Sequence, residues 1–257
     1  VAGVLNNLGD INLQLGNLED AKNDYKAALE IDLAVFGKDH PKVAEDSLKI
    51  GQASMLDGKP EQAEKLFLKA NEINTKVFGN MHHSIATNYN CLGRLELIKG
   101  NKLAAVDHFK KAMGIAKTVF KTLYHPIIAD IANNYGFAIL EQQNLLESRR
   151  YIQMALSINQ KVFSPSHPAV VNGLINLGRV CYLGQELEDA KSNYLNALNR
   201  LNENDSKHYS QVHEIKDSLM NLAKDFNHRF HLKNPGSSRL YCGEARHIFR
   251  KLKIQGF

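Results

Sequence analysis

Small, aromatic and polar positions recur along the chain at a period of about 42 residues. A glycine returns at spacings of 42, 42, 43 and 42 residues, at Gly9, Gly51, Gly93, Gly136 and Gly178. Twelve residues after each repeat glycine stands a small residue, at Ala21, Ala63, Ala105, Ser148 and Ala190. Sixteen residues after it stands a large apolar residue, at Tyr25, Phe67, Phe109, Ile152 and Tyr194. Agreement of several positions at one period predicts five structural repeats.

Each repeat is predicted to contain two helices. The first helix ends near a glycine or glutamine seven residues after the repeat glycine, a common position for a helix stop, at Gly16, Gly58, Gly100, Gln143 and Gln185. In the second helix a small, an aromatic and another small residue follow at spacings of 4 and 3, which places them on one face. Small residues allow the two helices to approach closely, and the aromatic residue fills the remaining space.

A connector with a characteristic sequence joins consecutive repeats. It follows a Val-Phe pair and ends in His40-Pro41, His82-His83, His125-Pro126 or His167-Pro168. Proline is well suited to the first turn of a helix, where its missing N–H costs nothing. One histidine per repeat is too dispersed to share a metal ion. We therefore interpret the connector histidines as helix caps and predict no metal site.

These positions resemble the tetratricopeptide repeat, in the variety of about 42 residues that kinesin light chains carry. The resemblance rests on the small and aromatic positions and on the Val-Phe-Gly-x-x-His-Pro connector at residues 35–41, and it covers about residues 1–201. It implies an all-α fold, a right-handed superhelical solenoid of helix-turn-helix repeats. It also implies a concave groove that is lined by the first helix of each repeat.

The sequence divides into three regions. Residues 1–201 form the five helix pairs, residues 202–226 are predicted to contain a C-terminal capping helix, and residues 227–257 form a basic tail. The capping helix, expected from about Tyr209 to Phe226, has an apolar stripe of Val212, Ile215, Leu219 and Leu222. At the other end Val1 aligns with Val43, and no comparable cap is visible. We therefore expect the chain to be a fragment or the end of a longer array.

The basic tail is predicted to form a short amphipathic helix. Ala245, Ile248, Phe249 and Leu252 follow one another at helical spacing, with basic residues on the other side. Three roles are open for it. It packs on the last helix as an extra cap, it contacts an anionic membrane surface or a partner, or it folds back into the groove.

Charge and composition narrow the classes of function. The net charge is +5, but residues 227–257 carry seven basic residues and one acidic residue, a balance of +6 that leaves −1 for residues 1–226. No nucleic-acid partner is expected for a body with that balance. No apolar run approaches the length of about 20 residues that spans a bilayer. Three scattered cysteines indicate a reducing compartment, and we predict a cytoplasmic protein.

No pattern of catalytic or cofactor-binding residues is present. The glycines stand singly and form no phosphate-binding loop, and no H-E-x-x-H motif occurs. No cysteine has a histidine beside it in a recognisable nucleophile context, and Cys91 is interpreted as a plain small residue. We therefore predict that the protein is not an enzyme and binds no cofactor.

Two positions of the first helix are candidates for ligand contact. The position two residues before the repeat glycine holds Asn7, Lys49, Cys91, Asn134 and Asn176. The position one residue after it holds Asp10, Gln52, Arg94, Phe137 and Arg179. An asparagine amide donates and accepts hydrogen bonds at once, which suits the backbone of an extended peptide. Tetratricopeptide grooves commonly use asparagine at the first of these positions to hold ligand main chain, which by resemblance applies to Asn7, Asn134 and Asn176 but not to Lys49 or Cys91.

Charged residues complete the predicted groove. Arg94 and Arg179 are natural contacts for carboxylates, because guanidinium is planar and donates several hydrogen bonds. Kinesin light chains bind short acidic peptides around an aromatic residue, which by analogy suggests an acidic ligand. Acidic residues are also expected to face the groove, at Asp10, Glu45, Asp130 and Glu141. The predicted site is Asn7, Arg94, Asn134, Phe137, Asn176 and Arg179.

The sequence thus predicts a non-catalytic interaction scaffold or adaptor that binds a peptide or helical segment of a partner protein in its groove. The alternative is a structural spacer, or a segment that self-associates through its uncapped N-terminal end.

Overall fold

The computed structural model describes residues 1–140, 142–201, 209–234 and 242–252. These ranges contain twelve helices and no strand: α1 (Ala2–Gln14), α2 (Leu18–Phe36), α3 (Pro41–Leu56), α4 (Pro60–Phe78), α5 (His83–Ile98), α6 (Lys102–Val119), α7 (Pro126–Leu140), α8 (Leu145–Val162), α9 (Pro168–Leu183), α10 (Leu187–Leu198), α11 (Tyr209–Lys233) and α12 (Gly243–Lys251). The all-α prediction is confirmed. The contacts divide the chain into two compact units, Val1–Asn144 (unit 1) and Leu145–Phe257 (unit 2).

In unit 1 the helices pack as the pairs α1–α2, α3–α4 and α5–α6, followed by α7. The repeat glycine and the aromatic residue are complementary within each pair. A Cβ atom on Gly51 would lie 2.5 Å from the ring of Phe67, and one on Gly93 would lie 2.6 Å from the ring of Phe109. Both rings are completely buried. The glycine is needed because the ring lies directly against the backbone of the first helix.

The predicted helix stops adopt a left-handed backbone conformation. The φ angles are +82° at Gly16, +71° at Gly58 and +81° at Gly100. Gln143 has a φ of 65° at the equivalent position. A residue with a Cβ pays roughly 1–2 kcal/mol for this conformation, whereas glycine does not. The turn geometry is therefore kept even where the glycine is absent.

The connector histidines cap the helices that follow them, as predicted. In each connector the Nδ1 atom accepts a hydrogen bond from the backbone N–H two residues later, at 3.2 to 3.3 Å, for His40, His82, His125 and His167. Each imidazole also stacks on a phenylalanine that is the last residue of the previous helix or directly follows it, with ring centroids 3.7 to 4.4 Å apart. Burial lowers the pKa of His82, which favours the neutral imidazole that a cap of this kind requires.

Unit 2 contains α8 to α12, and one hydrophobic core joins α9, α10, α11 and α12. Its helix pair α9–α10 repeats the packing of unit 1, because a Cβ on Gly178 would lie 2.7 Å from the ring of Tyr194. The predicted end of the capping helix at Phe226 is wrong. Helix α11 continues to Lys233 because Phe226 and Phe230 both pack against the core and extend the apolar stripe.

The short helix of the tail packs against α11 in unit 2. Its side chains Ala245, Ile248 and Phe249 are buried in the core. Cys242 caps it, since the Sγ atom accepts a hydrogen bond from the N–H of Ala245 at 3.3 Å. Of the three roles open for the tail, the structure shows the additional cap. The turn predicted at residues 235–238 lies outside the described residues.

Candidate functional site

The two predicted ligand-contact positions meet across neighbouring repeats in unit 1. Lys49 forms an ion pair with Asp10, with Nζ–O distances of 2.6 and 2.7 Å. One repeat further along, Gln52 donates a hydrogen bond from Nε2 to the Sγ atom of Cys91 at 3.2 Å. A side chain after one repeat glycine therefore contacts the side chain two residues before the next. These residues join repeats as well as forming a surface.

The Asp10–Lys49 pair is tied to the core of the first repeat. The Tyr25 hydroxyl donates a hydrogen bond to Asp10 at 2.8 Å, and the Lys49 ammonium lies 5.5 Å from the centroid of the Tyr25 ring. Burial, together with the Asp10 carboxylate, raises the pKa of Tyr25. Lysine at the position that elsewhere holds asparagine is thus explained by an acidic partner in the preceding repeat.

Cys91 is buried, in contrast to the other residues of its position. Burial raises the pKa of the Cys91 thiol, although Gln52 and Arg94 oppose this effect. A buried thiol with a raised pKa is a poor nucleophile. The interpretation of Cys91 as a small packing residue agrees with this environment.

A chain of side-chain hydrogen bonds links α5 to α7 at the centre of unit 1. Asn134 donates from Nδ2 to Oδ1 of Asn90 at 3.1 Å, and Asn90 donates from Nδ2 to Oδ2 of Asp130 at 2.6 Å. The Asp130 side chain is open to solvent on one side. The surrounding protein removes part of its hydration and raises the pKa of Asp130, while Arg94 and the amides of Asn90 and Asn134 act in the opposite direction.

Arg94 lies beside this chain on α5, and its side chain is partly exposed. Across the part of the chain that the structure describes, it forms no hydrogen bond and no ion pair. Its charge acts on Asp130 only at longer range. We call Asn90, Arg94, Asp130 and Asn134 the α5–α7 surface. Its accessible groups are the Arg94 guanidinium, the Asp130 carboxylate and the Asn134 amide, whereas Asn90 is buried.

Sequence reasoning missed one position, three residues before the repeat glycine. Asn90 occupies it in α5 and Asn6 occupies it in α1, and both are buried. Asn6 donates to Oδ1 of Asp46 at 2.6 Å, just as Asn90 donates to Asp130. In both cases the acceptor lies 40 residues later in the chain. An asparagine followed by an aspartate at this spacing was the signal that could have identified the link.

The remaining predicted residues of unit 1 have different environments. Asn7 is exposed on α1, and Phe137 is half-buried on α7. Glu45 forms an ion pair with Lys42 at 2.9 Å. Glu141 lies outside the described residues. The structure therefore brings Arg94 and Asn134 into one surface, but it leaves Asn7 on a different helix pair.

In unit 2 the second predicted arginine is already paired. The guanidinium of Arg179 on α9 lies 2.7 Å from Oε1 of Glu214 on α11. Asn176 is half-buried one turn earlier on α9. A further link joins the same helices, from the Tyr182 hydroxyl to Asp225 at 2.6 Å, and this hydrogen bond raises the pKa of Tyr182 to about 12. The charge of Arg179 is thus compensated within the chain.

The described residues offer neither a metal-binding cluster nor a membrane-spanning helix. No group of three or more histidine, cysteine, aspartate or glutamate side chains is close enough there to hold a metal ion. Within the same ranges, no helix has both the length and the apolar character needed to cross a bilayer.

Comparison with known proteins identifies the repeats. The family model of the tetratricopeptide repeat matches residues 1–53, 46–118 and 127–203. No curated protein matches the chain. A putative kinesin light chain from Podosopora anserina is similar in structure, with 16% identity, 81% of this chain and 95% of that chain covered, and a TM-score of 0.58.

Two other solved structures are similar over nearly the whole chain. BtubC (BKLC) from P. vanneervenii has 15% identity, covers 96% of this chain and 93% of its own, and has a TM-score of 0.64. A Rap protein complexed with competence and sporulation factor has 15% identity, covers 97% of this chain and 73% of its own, and has a TM-score of 0.65. At these identities the likeness establishes the fold alone, which is that of the repeat predicted from the sequence.

Proposed function

The chain belongs to the tetratricopeptide repeat family, and from that premise we propose that it is a non-catalytic interaction scaffold or adaptor. The ligand is a peptide or helical segment of a partner protein. It binds at the α5–α7 surface of unit 1, where Arg94 and Asn134 make the main contacts. The Rap protein, one of the similar structures, is itself a complex with a bound factor.

The observation that carries this proposal is the state of Arg94. A partly exposed guanidinium group that has no partner among the described residues is available for two parallel hydrogen bonds to a carboxylate. Lys49 and Arg179, at related positions, are already paired with Asp10 and Glu214. An acidic side chain or a C-terminal carboxylate of the ligand is therefore expected at Arg94.

The amides of the same surface complement this charge. Asn134 donates to Asn90 at 3.1 Å, and the carbonyl oxygen of Asn134 is suited to accept a hydrogen bond from the main chain of an extended peptide. Asp130 disfavours a second acidic group beside the first, because like charges at close range repel. We expect a ligand with one acidic group and a neutral backbone segment next to it.

A selection experiment tests this function. A library of random peptides is selected on the full chain, and the affinity of the selected peptides is measured by fluorescence anisotropy. We expect an enrichment in aspartate and glutamate, and an affinity that falls at least tenfold, about 1.4 kcal/mol, in the variant Arg94→Glu with Asn134→Ala. Arg179→Ala is the matched control and keeps the affinity. Peptides that bind the double variant as tightly as the wild type, with an unchanged helical melt, exclude this surface.

A second candidate function, self-association through the N-terminal helix, is favoured by an exposed apolar stripe on α1. Leu8 and Ile11 are 45% and 54% exposed. In the second and third repeats, the residues equivalent to Leu8 are Ile50 and Leu92, which are buried. Sedimentation measures the oligomeric state of the wild type and of the double variant Leu8→Glu with Ile11→Glu, and self-association through α1 predicts that only the wild type associates. A wild type that stays monomeric at all concentrations contradicts self-association.

The cysteines support the predicted reducing, cytoplasmic location. Cys91, Cys181 and Cys242 are buried free thiols. Thiols persist where glutathione keeps them reduced, as it does in the cytosol.

A further inference from the structure

A hollow between α5 and α6 lies outside the α5–α7 surface. Its volume is about 530 Å³, and Met81, Ile85 and Tyr89 line one side of it. Lys111, Gly114 and Ile115 line the other side. Ile85 is buried at the floor, and Met81 is exposed at the rim. The hollow is therefore open to solvent at its rim, and its lining is largely apolar.

Gly114 opens this hollow without a packing reason. It stands inside α6, and an added Cβ would meet no atom within 4 Å. Glycine inside a helix costs about 1 kcal/mol relative to alanine. The equivalent residues of α2 and α4, twenty-one positions after their repeat glycines, are Glu30 and Glu72. A side chain that the local packing would allow is therefore absent at Gly114, which lines the hollow.

The rim of the hollow is cationic. The Lys111 ammonium lies 5.7 Å from the centroid of the Tyr89 ring, and it has no ion-pair partner in the described ranges. His108 stacks against the same ring at 5.8 Å. Burial, reinforced by Lys111, lowers the pKa of His108, so the imidazole adds no charge at neutral pH. Helix α6 contains four lysines and one aspartate.

We propose that this hollow is a second protein-binding site, which takes one large apolar side chain of a partner segment while a neighbouring carboxylate of that segment pairs with Lys111. The apolar side chain gains from contact with Tyr89 and Ile115, which are only partly covered by the protein itself and lie beside the buried Ile85. The carboxylate pairs with the Lys111 ammonium, whose position is fixed by its contact with the Tyr89 ring. Glu30 and Glu72 exclude the same ligand from the first two repeats by size and by charge.

Two small probes of opposite charge test the proposal on the full chain. They are 4-phenylbutanoate and 4-phenylbutylamine, which share the apolar body and differ in the charged end. Backbone amide spectra are recorded with each probe at roughly millimolar concentration, the range expected for fragments of this size. We expect the carboxylate to shift the amide signals of Gly114 and Ile115 saturably, and the amine to shift them at least fivefold less.

Variants connect the response to the hollow. Gly114→Glu installs the residue that α2 and α4 carry, and it should abolish the shift in a chain with an unchanged helical melt. Lys111→Glu should reverse the preference between the probes. Lys69→Glu, at the equivalent position of α4, is the matched control and leaves the response intact. The double variant of Arg94 and Asn134 also leaves it intact, so that failure of the α5–α7 surface and failure of the hollow are distinguishable.

Three outcomes overturn the proposal. The first is the absence of any shift at saturating probe. The second is an equal response to the carboxylate and the amine, which removes the role of Lys111. The third is a response that survives in a folded Gly114→Glu chain, which places the probe elsewhere.

Discussion

Arg94 in unit 1 and Arg179 in unit 2 occupy the same position of the repeat, one residue after the glycine, but their environments differ. Arg179 forms an ion pair with Glu214 at 2.7 Å. Arg94 has no such partner among the described residues, and Asp130, on which its charge acts at longer range, accepts a hydrogen bond from Asn90 instead. A repeat position determines where a charge is placed. The residue that the next helix supplies determines whether the charge is available to a ligand.

The two units also join their repeats by different means. In unit 1 buried amides reach carboxylates of the next repeat, from Asn6 to Asp46 and from Asn90 to Asp130. In unit 2 the position equivalent to Asn90 is Ile175, which packs in the hydrophobic core. Polar links depend on the protonation of their carboxylates, whereas apolar packing does not. The comparison therefore predicts that the links at this repeat position respond to pH in unit 1 and not in unit 2.

The largest effect is expected where the two units are alike. Gly93→Ala and Gly178→Ala each place a Cβ 2.6 or 2.7 Å from a buried ring, of Phe109 or Tyr194. We expect each to lower the free energy of unfolding by about 2 to 3 kcal/mol, because the ring must leave its position in a packed core. Urea unfolding measures the change. Gly114→Ala, the control with free space around its Cβ, should be stabilising by about 0.5–1 kcal/mol.

A clear difference between Gly93→Ala and Gly178→Ala would contradict the view that both units share one scaffold and differ only in their polar links.

The second largest effect concerns Asp46, a buried carboxylate of unit 1. Burial, with Asp32 and Glu45 nearby, raises the pKa of Asp46 from 3.8 to about 6. Since the folded-state pKa lies above the unfolded value, stability from this group is present below pH 3.8 and is lost as the pH rises through about 6. Asp46→Asn keeps the acceptor for Asn6 and should raise the free energy of unfolding above that pH by about 1 to 2 kcal/mol.

Unfolding of the wild type and Asp46→Asn across pH 5 to 8 measures this gain as a widening difference. Asp39→Asn is a control at an exposed ion pair with Lys76 and should change stability by less than about 0.5 kcal/mol. A difference that stays constant across this range would mean that Asp46 is not the group that titrates.

The smallest effect is expected when Arg179 loses its ion-pair partner and so becomes more like Arg94. Glu214→Gln removes the partner of Arg179 but should change the free energy of unfolding by less than about 0.5 kcal/mol, because the pair is solvent-exposed. Loss of the Glu214 carboxylate, which repels anions beside Arg179, should raise the affinity of the chain for acidic peptides about threefold, roughly 0.7 kcal/mol. Fluorescence anisotropy titrations measure this gain in a chain that also carries Arg94→Glu, so that binding at the α5–α7 surface does not contribute. No gain would show that removing the Glu214 carboxylate is insufficient to create an acidic-peptide site at Arg179.

Much of the fold was predictable because its determinants lie close together in sequence. The stop at Gly58, the cap at His40 and the packing of Phe67 on Gly51 depend on contacts within one repeat or one connector. Such contacts recur at every repeat and therefore appear as a period. The predicted end of α11 came too early. Phe230 packs against the hydrophobic core of unit 2, and this contact exists only in the folded structure.

The candidate site was only partly predictable. The positions of Arg94 and Asn134 on the first helices follow from the period, but the role of Asn90 does not, since its partner Asp130 lies 40 residues away. The sequence also could not distinguish Arg94 from Arg179. Both satisfy the same local pattern, and the difference arises from Glu214 on another helix.

By itself the sequence determined the repeat, the helix pairs, the glycine–aromatic packing and the histidine caps, because each depends on short spacings that helical geometry fixes. The tertiary structure alone decided which charges are neutralised, that the tail helix packs on α11, and that Gly114 opens a hollow above Ile85. These features depend on side chains from helices distant in sequence. Their partners are chosen by three-dimensional packing, which no single period along the chain encodes.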